Sequence, residues 1–306
     1  MARQFVKQHI VPKRYLDRFA DENNVIGTRH IKKGKITIFA AATKDVGYIK
    51  NFYDVTDKDD PKYWEHYFAE EIDTLCGAEL GRIISAATMS RDGVIVLGIK
   101  GKEVLSRIII AQMMRIPASV EYMKAVYKRV APVVKADALD VLPDSFREKY
   151  GKQIAELELP DQWKKEQFFN CAFEPGNFEK YWSILRDRTW VVYVNSCRNP
   201  FPFITGDNPV LVEGIGKNEL GLFHNGLALP STIIYFPLSP SIAVVNYSRQ
   251  GMFSLVADEI DGKKFVLGEK DIPFIMDKNM KIMEQSYQHS FIPQPLFNEV
   301  TEAEEE

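Results

Sequence analysis

Cysteine is scarce in this chain, with three in 306 residues, and Cys76, Cys171 and Cys197 lie far apart with no C-x-x-C spacing. That distribution argues against a disulfide framework or a cysteine-built zinc site and fits a reducing compartment. Long apolar runs are missing too. The most apolar stretches, "GVIVLGI" and "SRIIIAQMM", are too short to span a bilayer, and the opening "MARQFVKQHIVPKRY" has no signal-peptide core. These features predict a soluble, cytoplasmic protein with no membrane partner. Neither sign of charge dominates. The 39 Lys and Arg against 42 Asp and Glu leave a net charge of −3, so no overall basic character advertises nucleic acid, although a local patch would be hidden in that sum. The chain also lacks G-x-x-x-x-G-K-[ST], G-x-G-x-x-G at a strand-to-helix turn, H-E-x-x-H and G-x-S-x-G. Nucleotide-triphosphate hydrolysis, dinucleotide redox chemistry and the common serine and zinc hydrolases all lose support.

What is present is ample material for a core, 45% hydrophobic residues with 12% aromatics. In "QHIVPKRYLDRFA", Pro12 supplies a helix-ready φ, and Tyr15, Leu16 and Phe19 follow at helical spacing, which predicts a short helix near 12–21. Runs at 25–31 and 35–40, divided by Lys-Lys-Gly, predict a hairpin. Asp60 as N-cap and Pro61 at the first helical position open one long helix whose stripe includes Trp64, Phe68, Ile72, Leu75 and Ile83. Further helices are expected from Lys102 towards Pro117, over 118–131, 144–157 and 163–186 (broken at Pro175-Gly176), and about 270–288. From Thr189 the sequence turns β-branched and aromatic, punctuated by Gly, Pro and Asn. Segregated strands and helices predict an α+β fold, in which a helical middle packs with a β-rich C-terminal part and an N-terminal hairpin. The expected organisation is one domain of two lobes, mainly helical over about 61–187 and mainly β over 1–60 plus 188–290. The ending "TEAEEE" is expected to fray.

Several polar residues stand out. His9 lies near the N-terminal end of the first helix, where free amides favour an anion and the positive helix end favours a neutral imidazole able to accept a proton. It can equally pack under Tyr15 while Gln8 pins a loop. Glu71 and Glu79 share a helical stripe with Leu75, a spacing suited to a divalent cation or to ordinary ion pairs such as that with Arg82. Arg115 follows Val104, Ile108 and Ala111 at helical intervals and should be buried. A buried guanidinium requires an anion, from a neighbouring helix or from a substrate, and Gln112 faces the same way. Asp207 and Asn208, in "FITGDNPV" after a strand, either cap their own turn or present a carboxylate at a rigid strand end.

Taken together, "QHIVPKRYLDRFA", "NFYDV", the glutamate-bearing helix, "AQMMRIP", "WVVYVN", "FITGDNPV" and "IIYFPLSP" resemble, in order and over roughly 5–290, the domain of unknown function 4238 family. Gln8, His9, Pro12, Tyr15, Leu16, Phe19, Arg115, Pro117, Asp207, Asn208 and Pro209 match that family's pattern residue by residue. Arg-Ile-Pro instead of the more usual Arg-Thr-Pro, and Gly206 where Ser is common, leave the polar groups untouched. The resemblance implies that His9, Arg115 and Asp207 belong to one recurring set, and implies no activity.

The chemistry of these residues points first to a metal-dependent hydrolase of a phosphodiester or other anionic substrate, nuclease-like, with nucleic acid or a nucleotide as partner. His9, Arg115 and Asp207 would be catalytic, Gln8, Gln112 and Asn208 would bind substrate, and Glu71, Glu79 and Asp207 would hold Mg²⁺. The alternative is a non-enzymatic binding or scaffold module, or a small-ligand sensor, whose polar residues form a buried network.

Overall fold

Pro12 marks where the chain turns from extended to helical. Strand β1 (Lys7–His9) approaches it, and α1 (Lys13–Leu16) begins directly after it. The computed structural model describes residues 7–197, 201–214, 226–294 and 296–298. The "TEAEEE" ending lies outside the described residues. Helix α1 is shorter than its pattern predicts. Asp21 Oδ1 accepts the amides of Asn23 and Val25, and Asn24 takes a φ of 58°, so side-chain-to-backbone bonds replace the helical ladder there.

The expected hairpin forms from β2 (Val25–Lys32) and β3 (Lys35–Ala42), in register from Val25↔Ala42 to Lys32↔Lys35. Lys33 and Gly34 both have positive φ, 51° and 78°, the two-residue geometry whose twist matches the strands it joins. Strand β4 (Tyr48–Lys50) pairs antiparallel with β1.

The helical middle departs from its pattern in one informative place. Instead of one long helix, the chain makes α2 (Tyr63–Tyr67), a π-helical turn Phe68–Asp73, a break at residues 74–77, then α3 (Ala78–Met89). Each α-helical residue advances about 100°, so the wider turn rotates everything after it, and the buried stripe passes to Leu80, Ile83 and Ala87. Asp60 does not cap the helix. Its Oδ1 accepts the amide of Lys62, and the helix starts later. Then follow α4 (Ile99–Met114), α5 (Pro117–Asp140), α6 (Asp144–Glu156), α7 (Asp161–Ala172) and α8 (Pro175–Arg186), the last with Pro175 at its first turn. Helix α5 runs well past residue 131 and carries Pro132 within it.

The β-rich part contains β5 (Thr189–Asn195), β6 (Thr205–Gly206), β7 (Leu211–Gly214), β8 (Thr232–Ser239), β9 (Ile242–Tyr247), α9 (Ala257–Ile260), β10 (Lys263–Leu267), α10 (Ile272–Gln285) and β11 (His289–Ile292). One sheet has the order β10-β5-β9-β8-β7, antiparallel except for the parallel β10–β5 pair, and another the order β3-β2-β11-β6. The result is an α+β fold. Strand β8 shows why its sequence reads as a continuous apolar run. Ile234 and Phe236 face the large cluster that includes Tyr15, Phe68 and Leu105, while Tyr235 faces a second cluster with Phe203, Ile275 and Ile282. Side chains alternate across a strand, so a sheet covered on both faces needs apolar residues at every position. None of the described helices is long and apolar enough to cross a membrane.

Gly262 joins α9 to β10 at a φ of 73°. Its amide donates to the Trp190 carbonyl, and its own carbonyl accepts from Val96 and Leu97. A Cβ there would stand 2.4 Å from the Leu97 carbonyl oxygen. Gly262→Ala should therefore lower the free energy of urea unfolding by about 2 kcal/mol or more, through positive φ and overlap together. A change below about 0.5 kcal/mol, the usual scatter for a surface substitution, would show that this junction does not constrain the fold.

Candidate functional site

Extended backbone at β1 sends Gln8 inward, where it is fully buried. Its Nε2 donates to Asp54 Oδ1 at 2.7 Å and its Oε1 accepts the Tyr53 amide at 2.6 Å. Asp54 Oδ1 also accepts from Lys62 Nζ at 2.6 Å. Arg115, at the C-terminal end of α4, is 1% exposed. Its Nη1 donates to Asp73 Oδ1 at 2.6 Å, its Nη2 to the His9 carbonyl at 2.5 Å and its Nε to the Tyr53 hydroxyl at 3.2 Å. The guanidinium also lies 4.8 Å over the Phe68 ring. Gln112 Nε2 donates to the Ile10 carbonyl. Gln8, His9, Gln112 and Arg115 thus belong to one polar network, and the anion it uses is Asp73, from the end of the π-helical turn.

The His9 imidazole is half-buried, and its Nε2 has no hydrogen-bond partner among the described residues. Burial, then the nearby Arg115, hold it below the ordinary imidazole pKa. Glu65 lies in the same field, and burial raises its pKa against the opposing pull of Arg115.

Asp207 and Asn208 stand in a second network. Asp207 is 1% exposed, and its carboxylate accepts the amides of Tyr287, Gln288 and His289 at 2.6 to 2.7 Å. Asn208 exchanges hydrogen bonds with Gln285 at the end of α10. Asp207 Oδ2 is 3.7 Å from His289 Nδ1, an electrostatic contact rather than a hydrogen bond, and His289 Nε2 is 2.8 Å from His30 Nδ1. With the His289 Nδ1 proton turned to the carboxylate, His30 Nδ1 donates to His289 and His30 Nε2 is left as an acceptor. Burial, then His289, lower the His30 pKa.

Glu71 is 3.7 Å from Arg107, and Glu79 is 2.8 Å from Arg82. The structure does not assemble Glu71, Glu79 and Asp207 as an Mg²⁺ site. Among the described residues, no three His, Cys, Asp or Glu side chains are grouped to hold a metal ion.

Sequence reasoning passed over two arginines inside its own first motif. Arg14 in α1 and Arg18 in the turn that follows it both line an open cavity of about 380 Å³ with Asp17, Gly77, Ile84 and Ser239. Asp17 is already paired, with Lys13 Nζ at 2.8 Å and Thr43 Oγ1 at 2.6 Å. Arg18 is anchored through Nη2 to the carbonyls of Cys76 (3.1 Å) and Gly77 (2.5 Å). Arg14 is exposed and has no carboxylate partner among the described residues. Glycines keep the space clear. A Cβ on Gly77 would stand 3.1 Å from Arg14 Nη1, and one on Gly81 would stand 3.2 Å from Arg18 Nη2. Helical spacing was the signal for this pair. No spacing rule links His30 to His289, which meet only because β2 and β11 pair.

Residues 7–259 of the chain match the family model described as "Protein of unknown function (DUF4238)", and the chain belongs to that family. No curated protein and no solved structure matches it.

His9 and His30 both hold protons less tightly in the fold than a free imidazole does, so the unfolded chain binds protons first as pH falls. Their contribution to stability should be complete above about pH 6.5 and decline as pH drops below it. The urea midpoint should be lower at pH 5.5 than at pH 7.5, with a smaller drop in His9→Gln and His30→Gln. An equal drop in both variants and the parent would refute this assignment.

Proposed function

We propose that this member of the DUF4238 family is a binding protein for a small phosphate-bearing anion, held in the cavity lined by Arg14 and Arg18. The observation that carries this reading is Arg14, whose guanidinium has no carboxylate partner among the described residues and shares an open cavity with a second, anchored guanidinium. Guanidinium groups bind phosphate oxygens through paired N–H donors, and an anchored one loses less conformational freedom on binding. Gly77, which precedes the first turn of α3, lines the same cavity, so the positive end of that helix adds to the field there. Binding without turnover is favoured because Arg115, the clamp a hydrolase would need, donates to Asp73, Tyr53 and the His9 carbonyl instead.

Calorimetric titration with pyrophosphate should give a dissociation constant in the millimolar range or tighter, about −4 kcal/mol or better. Arg14→Gln should weaken it about tenfold without changing the melting temperature, and bis(4-nitrophenyl) phosphate should not be cleaved. Absence of saturable binding would end the proposal. Arg14-dependent cleavage of the diester would replace it with a hydrolase.

A further inference from the structure

We propose that the protein associates with a second copy of itself through an exposed valine stripe on α5, the two helices lying antiparallel across a two-fold axis near Val133 and Val134. The anion cavity takes no part. Between Val120 and Glu166 the chain forms most of α5, all of α6 and the start of α7, and no residue there is buried. Helices gain most of their stability by packing an apolar face. Helix α6 packs on one side of α5, where Lys135 Nζ donates to the Ala155 carbonyl at 2.9 Å. Another side of α5 is apolar and bare. Val130 is 47% exposed and Val141, just past the helix end, 82%, with Val133 and Val134 in between. Each residue advances about 100° around a helix, so these four valines fall within about 100° of one another, with Asp137 among them. Single exposed apolar side chains are ordinary, whereas a stripe of them marks an interaction surface.

The charges beside the stripe identify what covers it. Arg129 precedes the valines, and Asp140 lies eleven positions later, about three helical turns, so both stand along the same edge of the stripe. The side chains of Arg129, Asp137 and Asp140 have no hydrogen-bond or ion-pair partner among the described residues. A basic, then apolar, then acidic order is complementary to its own reverse. An antiparallel copy sets Arg129 opposite the partner's Asp137 and Asp140, and the two-fold axis repeats that contact on the other half. A parallel copy would set Arg129 against Arg129. From Arg129 to Val141 the stripe is about 18 Å long, short for a standard interface, so the dissociation constant should be micromolar.

Sedimentation velocity of the full chain should show a monomer–dimer equilibrium below about 100 μM. Val134→Glu, Arg129→Glu and the double change of Asp137→Lys with Asp140→Lys should each weaken dimerisation about tenfold or more. All four positions are exposed, so helix content by circular dichroism should not change. Mixed in equal amounts, Arg129→Glu and the double lysine variant should dimerise again, because an all-acidic edge then meets an all-basic one. A chain that stays monomeric at that concentration overturns the proposal and leaves the stripe to a partner of another sequence. A dimer unaffected by Val134→Glu, or a mixture of the charge variants that stays monomeric, overturns it as well.

Discussion

The guanidinium of Arg115 is a full charge withdrawn from water, and the region around it is organised to neutralise that charge. The desolvation penalty for such a group is several kcal/mol, so it persists only with a close counter-ion and further acceptors. Asp73, the His9 carbonyl and the Tyr53 hydroxyl provide these, and each comes from a different part of the chain. The end of α4 is thereby fastened to β1, to the segment after β4 and to the π-helical turn. Next to it, Gln8 fixes Asp54 and the Tyr53 amide, so a second layer of bonds holds the groups that hold Arg115.

That fastening determines where α1 sits, and α1 carries the candidate binding surface. Its buried side is firmly placed. The Tyr15 hydroxyl is 2.8 Å from Thr205 Oγ1 and from the Pro237 carbonyl, and its ring stacks on Phe236 at 5.1 Å. With Tyr15, Leu16 and Phe19 committed to the core, Arg14 on α1 and Arg18 in the turn after it lie over Gly77 and Gly81. A firmly placed element presenting an exposed guanidinium beside an anchored one to an open cavity suits binding, because the scaffold does not have to be reordered when a ligand arrives.

Much of the fold was legible because its signals are local. The Lys33-Gly34 turn, the β-branched and aromatic run of β8 and the apolar spacing of α4 each depend on a few neighbouring residues. The π-helical turn had no such signal. Spacing singled out Glu71 and Glu79, while Asp73, at the end of that turn, is the residue that meets Arg115, and Glu71 meets Arg107. Arg115 itself was legible as a buried cation because its helical neighbours are apolar, although the partner it meets depends on tertiary packing. Asp207 was legible as a turn former, but its carboxylate takes the amides of Tyr287, Gln288 and His289 and not those of its own turn. Its nearness to His289 and His30 depends on a pairing between strands more than 250 positions apart, and no local pattern encodes it.

The central claim is that Arg115 and Asp73 are energetically coupled across the junction of α4 with the π-helical turn. A double-mutant cycle of Arg115→Ala and Asp73→Ala, read by urea unfolding, measures that coupling directly. The account predicts a loss of about 3–5 kcal/mol for Arg115→Ala alone. It also predicts that the double variant loses about 1–3 kcal/mol less than the sum of the single changes. Single losses that add to within about 0.5 kcal/mol would contradict it, because independent sites behave that way.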